Sequence, residues 1–206
     1  YPQAVPLAAC IDPKACIGCS RCAEACPADA VRLEQEAQDF KINVGAIIVA
    51  TGWQPFDAAR KEEYGFGRYR DVVTTLQMER MLNASGPTKG EVVRPSTGEI
   101  AGSIAFLQCV GSRDATVGNC YCSRICCMAS LKNAQLVKEK YPDTDITIYY
   151  MDIRACGEGY EEFYIRAQKL GINFVRSRVS SIQEEEGRIS LIYEDTQNGE
   201  IRRAKH

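Results

Sequence analysis

The sequence has one histidine among its 206 residues, His206, at its last position. Zinc sites built on histidine, Ser-His-Asp triads and Cys-His nucleophile pairs are therefore excluded. The formal net charge is −2 and the charged residues are spread along the chain, which leaves no basic face for nucleic acid and no polybasic membrane anchor. The longest apolar run is too short to span a bilayer.

Cysteine, in contrast, is abundant, with 11 residues. A secreted disulfide framework is normally a shorter chain with an even cysteine count. Cys-x-x-Cys repeats and the adjacent pair Cys126 and Cys127 are poor geometry for disulfides but good geometry for metal ligands. This pattern predicts a protein of a reducing compartment, the cytoplasm, whose cysteines are the candidate functional residues.

The first cysteine run is CIGCSRCAEACP, in which Cys16, Cys19, Cys22 and Cys26 are followed by Pro27. This is the spacing of bacterial ferredoxins, where Cys-x2-Cys-x2-Cys wraps a short loop around a 4Fe–4S cluster. Zinc motifs usually consist of two separated pairs of ligands, so a zinc knot or a redox dithiol is the weaker interpretation. The run therefore predicts a 4Fe–4S site.

The sequence leaves open which residue is the fourth ligand of this site. In two-cluster ferredoxins the last cysteine of such a run binds the other cluster, and the sequence has no second run. Either the partner motif precedes Tyr1, or Cys26 or Cys10 completes the same cluster. Cys10 alone is equally consistent with a buried apolar residue.

A domain boundary is predicted near Phe40, where the cysteine- and alanine-rich composition ends. The β-branched run VGAIIVATG (44–52) ends in glycine, which predicts a strand buried on both faces of a parallel sheet. TTLQMERML (74–82) predicts a short helix that opens with a capping box of Thr74 and Gln77.

From residue 104 onwards, strand and helix patterns alternate, which predicts right-handed crossovers and an α/β fold with a parallel sheet. The segments are IAFLQCV (104–110), MASLKNAQLVKEKY (128–141) with the apolar stripe Met128, Leu131, Ala134 and Val137, ITIYYMDI (146–153), YEEFYIRAQKL (160–170) and INFVRSRVSSI (172–182). The last stretch, 188–206, alternates with period two around Asn198-Gly199, which predicts a hairpin.

A second cysteine group surrounds the first of these strand-to-helix connections. Cys109 ends the strand at the carboxyl edge of the predicted sheet, where α/β proteins bind ligands. Cys122, Cys126 and Cys127 lie just before or within the first turn of the next helix, whose dipole stabilises thiolates. A dinucleotide-binding fold would carry G-x-G-x-x-G here, and CVGSRDATVGNCYCSRICC replaces it. We infer a metal cluster in place of nicotinamide phosphates; the alternative is a group of inert buried thiols.

Five stretches together resemble the A-type subunit of heterodisulfide reductase, a flavin and iron–sulfur protein, over nearly the whole chain. They are PQAVP…CIGCSRCAEACPADAV, VGAIIVATGWQPFD, RMLNASGPTKGEVVRPS, CVGSRD…YCSRICCMASLKNAQ and YMDIRACGEGYEEFYIRAQ. The resemblance implies a Rossmann-like, thioredoxin-reductase-like flavoprotein core with an inserted ferredoxin-like segment. It also implies that FAD splits electron pairs between a high- and a low-potential acceptor while clusters conduct single electrons.

The resemblance also assigns cofactors to residues by position. It implies a 4Fe–4S cluster of unusual ligand spacing on Cys109, Cys122, Cys126 and Cys127. It further implies that FAD contacts Ala50, Thr51 and Gly52. The implied domains are a ferredoxin-like half module (1–40), the C-terminal part of an FAD-binding domain with a linker (41–100), and a Rossmann-like, NAD-domain-like domain with the second cluster (101–206).

The sequence also departs from the family pattern. A second ferredoxin run before PQAVP and an earlier glycine-rich FAD fingerprint are absent. We therefore expect an internal fragment that holds one or two clusters and that neither retains FAD nor is active by itself. Cys10, Cys120 and Cys156 fall where no ligand is implied, although Cys120 is best placed to substitute for one. Arg113 and Arg124 either offset cluster charge or are ordinary solvated arginines.

The sequence thus predicts an electron-transfer segment of a heterodisulfide reductase A-type oxidoreductase with no catalytic side chain of its own. Its expected partners are B- and C-type subunits, a hydrogenase or dehydrogenase donor and ferredoxin. Two alternatives stay open: a zinc-stabilised structural module, or a related quinone-interacting oxidoreductase flavoprotein subunit. The stretch CGEGYEEFY and the intact ferredoxin run favour the heterodisulfide reductase type.

Overall fold

The computed structural model describes residues 11–12, 14–34, 36, 38–185 and 187–206. The chain divides into two compact units, Tyr1–Trp53 and Gln54–His206. In the described part of the first unit, the regular element is the one-turn helix α1 (Arg21–Glu24), which lies inside the first cysteine run. None of the described helices is long and apolar enough to cross a membrane.

The strand predicted for residues 44–52 is wrong in this structure. The run has no regular secondary structure, and its side chains are exposed, with Ile48 at 90% and Ile47 at 81%. A strand is stable only when its backbone N–H and C=O groups find partners in a neighbouring strand. Among the described residues, no strand pairs with this run, so its apolar composition alone does not produce a strand.

Helix α2 (Thr75–Leu82) begins as predicted. The Thr74 hydroxyl accepts a hydrogen bond from the Gln77 backbone N–H, and the Gln77 side chain accepts one from the Thr74 N–H. This capping box satisfies two backbone donors at the start of the helix.

The second unit contains a parallel sheet of three strands in the order β1-β2-β3. The strands are β1 (Ser103–Leu107), β2 (Asp145–Tyr150) and β3 (Asn173–Arg176). Helix α3 (Cys126–Lys140) connects β1 to β2, and helix α4 (Tyr160–Lys169) connects β2 to β3. The predicted mixed α/β fold with a parallel sheet is confirmed.

One face of this sheet is covered by α3 and α4. The predicted apolar stripe of α3 packs on the sheet, and its members Leu131, Ala134 and Val137 have no exposed surface, as do Ile146 and Ile148 of β2. Burying such a side chain contributes roughly 1.5–3 kcal/mol. This packing holds the N-terminus of α3 beside the carboxyl end of β1.

The other face of the sheet is covered by a second sheet of antiparallel strands. Its strands are β4 (Val179–Glu185), β5 (Arg188–Asp195) and β6 (Glu200–Lys205), and β5 and β6 form the predicted hairpin. Tyr149 of β2 packs against Val179 and Leu191 in this layer.

The single strand predicted for residues 172–182 is wrong, because the segment forms β3 and β4 in two different sheets. The Ser177 N–H donates to the Tyr150 carbonyl at 2.8 Å, which is the last pairing with the parallel sheet. The Arg178 side chain then reaches Asp114 at 2.6 Å, and the chain enters the antiparallel sheet. No glycine or proline marks this break, so the sequence pattern contains no sign of it.

Candidate metal centres

The first cysteine run consists of turns on either side of the one-turn helix α1. Gly18 (φ 71°) and Ser20 (φ 58°) adopt left-handed backbone conformations, which fold the run back on itself. The Gly18 N–H donates to Cys16 Sγ at 3.4 Å, and the Ala30 N–H donates to Cys26 Sγ at 3.4 Å. Backbone N–H groups directed at sulfur stabilise thiolates and tune clusters that thiolates bind.

The four cysteines of this run are free thiols at the surface of the first unit. Cys16, Cys19 and Cys22 are exposed, and Cys26 is half-buried. The hydrogen bond from the Ala30 backbone N–H lowers the pKa of Cys26. A lowered pKa makes Cys26 a better metal ligand, since the thiolate is the form that binds metal. Cys10, the other candidate for the fourth ligand, lies outside the described residues.

The second cysteine group is assembled from two elements that the sheet brings together. Cys109 follows β1 and is 4% exposed, and its φ of 61° turns the chain sharply away from the strand. Cys126 and Cys127 form the first turn of α3, and Cys127 is also 4% exposed. The Cys126 sulfur lies close enough to the thiols of Cys109 and Cys127 for both to shift its pKa. Cys126 is therefore in contact with two of the other three predicted ligands.

These contacts divide the charge unequally among the three sulfurs. The neighbouring thiols of Cys109 and Cys127 hold the pKa of Cys126 far below its usual value. The interaction with Cys126, together with burial, raises the pKa of Cys109 and of Cys127. The ionised form is thus favoured at Cys126 and disfavoured at its two neighbours, and the N-terminus of α3 also favours negative charge at this place. Metal binding would release the remaining protons.

Cys122, the fourth predicted ligand, lies in the loop between β1 and α3, and hydrogen bonds within the loop hold it in place. The Ser112 hydroxyl donates to the Tyr121 carbonyl at 3.0 Å and accepts from the Ser123 N–H at 3.1 Å. The Arg124 N–H donates to Cys122 Sγ at 3.3 Å. Cys122 is half-buried and close enough to Cys109 for its charge to raise the pKa of that thiol.

Asp152, which follows β2 at the same sheet edge, organises the charges beside the thiols. Its carbonyl accepts a weak hydrogen bond from Cys127 Sγ at 3.9 Å. Its carboxylate is ion-paired with Arg113, and with Arg154 at 3.4 Å. Although burial opposes it, these two guanidinium groups lower the pKa of Asp152. Arg113 is thereby held near Cys109, where its charge partly offsets the rise in the pKa of that thiol, whereas Arg124 is exposed.

The second group supplies thiols, the ligand type that iron–sulfur clusters take. Among the residues that the structure describes, no three His, Cys, Asp or Glu side chains are arranged to hold one metal ion. A 4Fe–4S cluster instead takes one thiolate at each of several separate irons. The side-chain amide of Gln108, beside Cys109, is buried with no hydrogen-bond partner in the described part of the chain. A buried amide of this kind suits a site that a further group completes.

The other predicted site residues are exposed. Cys120 and Cys156 are exposed free thiols. Ala50, Thr51 and Gly52 are exposed in the first unit.

Sequence reasoning missed Asp152 and His206. Asp152 follows the second parallel strand, and the rule that placed Cys109 at a carboxyl edge applies equally to it. His206 lies between Ser103 and Tyr149, with Nδ1 at 2.8 Å from the Ser103 hydroxyl and Nε2 at 3.2 Å from the Tyr149 hydroxyl. No local signal predicts that contact, because the three residues are far apart in sequence.

Comparison with known proteins identifies relatives of the whole chain and a family match that includes the first cysteine run. Residues 8–53 match a family described as a 4Fe-4S dicluster domain. Over its full length the chain is 56% identical to the A-type subunit of the ferredoxin/F(420)H(2)-dependent CoB-CoM heterodisulfide reductase of Methanosarcina acetivorans, of which it spans 26%. Over 98% of its length it is 53% identical to the A-type subunit of the H(2):CoB-CoM heterodisulfide,ferredoxin reductase of Methanothermobacter thermautotrophicus, of which it spans 31%. The resemblance stated from the sequence is confirmed.

Proposed function

Because this chain is homologous along its whole length to part of the A-type subunit of heterodisulfide reductase, we propose that it is an iron–sulfur electron-transfer segment of an oxidoreductase of that type. The observation that carries the proposal is the match of residues 8–53 to a 4Fe-4S dicluster domain, which includes the complete first cysteine run. Bound 4Fe–4S clusters would supply one-electron redox chemistry, and the protein would position them and tune their potentials.

At the first site, we propose that Cys16, Cys19 and Cys22 bind one cluster. Cys26 binds either the same cluster or the other cluster of a dicluster module. Its lowered pKa and its N–H···S bond from Ala30 support a ligand role in both cases. The backbone hydrogen bonds to Cys26 favour its thiolate form, which is the form that binds metal.

At the second site, we propose Cys109, Cys122, Cys126 and Cys127 as ligands. The contacts of Cys126 with Cys109 and Cys127 support this assignment, as does the helix N-terminus that carries two of them. We assign to Arg113 the role of offsetting cluster charge, since Asp152 holds it beside the thiols. Arg124, which is exposed, is the weaker candidate for this role.

We also propose a Rossmann-like, thioredoxin-reductase-like origin for the second unit. The strand order β1-β2-β3 with helical crossovers is that of one half of a dinucleotide-binding sheet. The proposed division is a ferredoxin-like segment (1–40), the end of an FAD-binding domain (41–100) and a cluster-bearing domain (101–206). Ala50, Thr51 and Gly52 would contact FAD in the whole protein.

For the whole protein, we propose flavin-based electron bifurcation with the clusters as single-electron relays. Its partners would be B- and C-type subunits, a hydrogenase or dehydrogenase, and ferredoxin, in the cytoplasm. The names of the relatives support this view, since they include ferredoxin and CoB-CoM heterodisulfide. The described cysteines are all free thiols, which suits a reducing compartment.

Anaerobic purification followed by iron, acid-labile sulfide and zinc analysis tests the proposal. We expect iron and sulfide in equal amounts and a broad visible absorption that bleaches on reduction. Stoichiometric zinc without sulfide would overturn the proposal in favour of a zinc-stabilised module.

A further inference from the structure

The loop between β1 and α3 carries Cys109 at its start and Cys122 near its end, so the shape of this loop sets where two proposed ligands lie. Asp114, in the middle of the loop, is 2% exposed. Its backbone N–H and carbonyl pair with Asn119 at 2.8 and 3.0 Å. Its carboxylate accepts from the Thr116 N–H at 3.0 Å and begins the short 3-10 helix Ala115–Val117.

The Asp114 carboxylate also joins this loop to two distant segments. Lys61 Nζ lies 3.0 Å from Oδ2, and the Arg178 guanidinium donates to the same oxygen at 2.6 Å. Lys61 is 8% exposed and is further paired with Glu63 at 2.7 Å. Such a buried carboxylate with several charged partners has a strongly preferred geometry, because breaking one partner leaves a buried charge uncompensated.

The segment that carries Lys61 touches the loop at two further points. Phe56 lies against Gly111, where a Cβ atom would come within 2.2 Å of the phenyl ring. The Arg60 guanidinium stacks on Phe56 at 5.1 Å from the ring centroid and donates to the Val117 carbonyl at 3.5 Å. Residues outside the loop, Phe56 and Arg60, therefore hold the middle of the loop in place.

Backbone hydrogen bonds connect this part of the loop to both proposed ligands, Cys109 and Cys122. The Arg113 N–H, next to Asp114, donates to the Tyr121 carbonyl at 2.9 Å, immediately before Cys122. The Ser112 N–H donates to the Cys109 carbonyl at 3.2 Å. A displacement of Asp114 would thus move Cys122, Cys109 and the charge of Arg113 together.

We propose that Asp114, anchored by Lys61 and Arg178, is a positioning residue that sets the ligand geometry and environment of the second cluster site. The inference rests on the proposed function, because it requires a cluster at that site. It assigns no ligand role to Asp114, whose carboxylate is fully occupied by its protein partners.

Asp114→Asn in the anaerobically purified holoprotein tests this inference. The second-site signal is first defined as the part of the electron paramagnetic resonance spectrum that Cys126→Ser removes. In Asp114→Asn, we expect this signal to change shape, its midpoint potential to shift, and the chelator concentration that removes the iron to fall. Loss of outer partners of metal ligands typically weakens metal binding by about 10- to 100-fold. The first-site signal should be unchanged.

Asp71→Asn is the matched control. Like Asp114, Asp71 accepts from an arginine and a hydroxyl group, here Arg94 at 2.9 Å and Ser96 at 2.7 Å, but it lies outside the loop. The Asp71→Asn substitution should lower the melting temperature while leaving the second-site signal and its midpoint potential unchanged. If Asp114→Asn leaves them unchanged too, Asp114 is only a stability residue and the inference is wrong.

Lys61→Met covers the case in which Asp114→Asn does not fold. It leaves Asp114 paired with Arg178, and Glu63 is partly solvated, so we expect a folded protein with a smaller shift in the second-site potential. A folded Lys61→Met protein with the potential of the unaltered protein would overturn the inference. If Cys126→Ser removes no iron at all, the proposed function fails at this site instead, so the two failures are distinguishable.

Discussion

The thiols of Cys109 and Cys126 lie close enough to shift each other's pKa, although one residue follows a strand and the other begins a helix. The contact arises because the carboxyl end of β1 and the N-terminus of α3 meet at one edge of the parallel sheet. That edge is where α/β folds commonly bind ligands. Here the groups that meet are thiols.

Replacing Cys126 by serine should remove about four iron atoms per chain, because the sulfur in contact with two other ligands is lost. Cys156→Ser is the matched control, since Cys156 is an exposed thiol at the same end of the sheet. It should retain all the iron. Iron analysis after anaerobic gel filtration measures both, and equal iron in the two variants would contradict the ligand assignment.

Replacing Cys26 by serine should lower the iron content, because its sulfur is held by the Ala30 N–H and its pKa is lowered. Cys10→Ser should leave the iron content unchanged if Cys26 is the ligand. The reverse pattern, measured by iron analysis and by the intensity of the visible spectrum, would make Cys10 the fourth ligand.

Replacing Leu131 by alanine should lower the free energy of unfolding by about 2–5 kcal/mol, because the side chain has no exposed surface and a cavity would remain. Leu136, on the same helix, is 41% exposed. Leu136→Ala should cost less than about 1 kcal/mol. Denaturant titrations compare the two, and similar losses would mean that α3 does not pack on the sheet through the predicted stripe.

His206 should make stability depend on pH, with a decrease as the pH falls below about 6.5. Burial lowers the pKa of His206, and the charge of Asp145 opposes this only in part. The unfolded chain therefore binds the proton more strongly, so the contribution of His206 is complete above its unfolded pKa of about 6.5 and decreases as the pH falls below it. The slope for one group is at most about 1.4 kcal/mol per pH unit.

His206→Gln should remove this slope, because glutamine does not titrate. Thermal melts of both proteins at several pH values above and below about 6.5 provide the measurement. A slope that is the same in both proteins would show that another group is responsible.

Replacing Gly111 by alanine should destabilise the protein by about 1–3 kcal/mol more than Gly118→Ala, because a Cβ at residue 111 would meet the Phe56 ring. Both glycines have positive φ, 69° and 80°, so the backbone strain is similar in the two variants. Nothing lies within 4 Å of a Cβ at Gly118. Equal destabilisation, measured by thermal unfolding, would show that Phe56 does not pack on this loop.

Local patterns predicted much of the second unit. The capping box at Thr74 and the stripe on α3 depend on residues three or four apart, and the order of strands and helices follows from their periodicity. The position of Cys109 at a sheet edge followed from the same reasoning. Because these features depend on residues that are close in sequence, a single sequence contains the information needed to predict them.

Features that depend on distant partners were not predictable. The run 44–52 has the composition of a buried strand but has no partner strand among the described residues. The break at Ser177 and Arg178 arises because Arg178 pairs with Asp114, 64 residues away in sequence. Asp114 itself, a single aspartate in a loop, becomes recognisable only when Lys61 and Arg178 are seen beside it.

Anomalous diffraction at the iron absorption edge, from crystals of the anaerobically purified protein, is the most direct measurement. Two groups of iron peaks are expected, one bonded to the sulfurs of Cys16, Cys19 and Cys22, the other to those of Cys109, Cys122, Cys126 and Cys127. Ordered thiols at the second site with no iron peak beside them, or with a signal only at the zinc edge, would contradict a role in electron transfer.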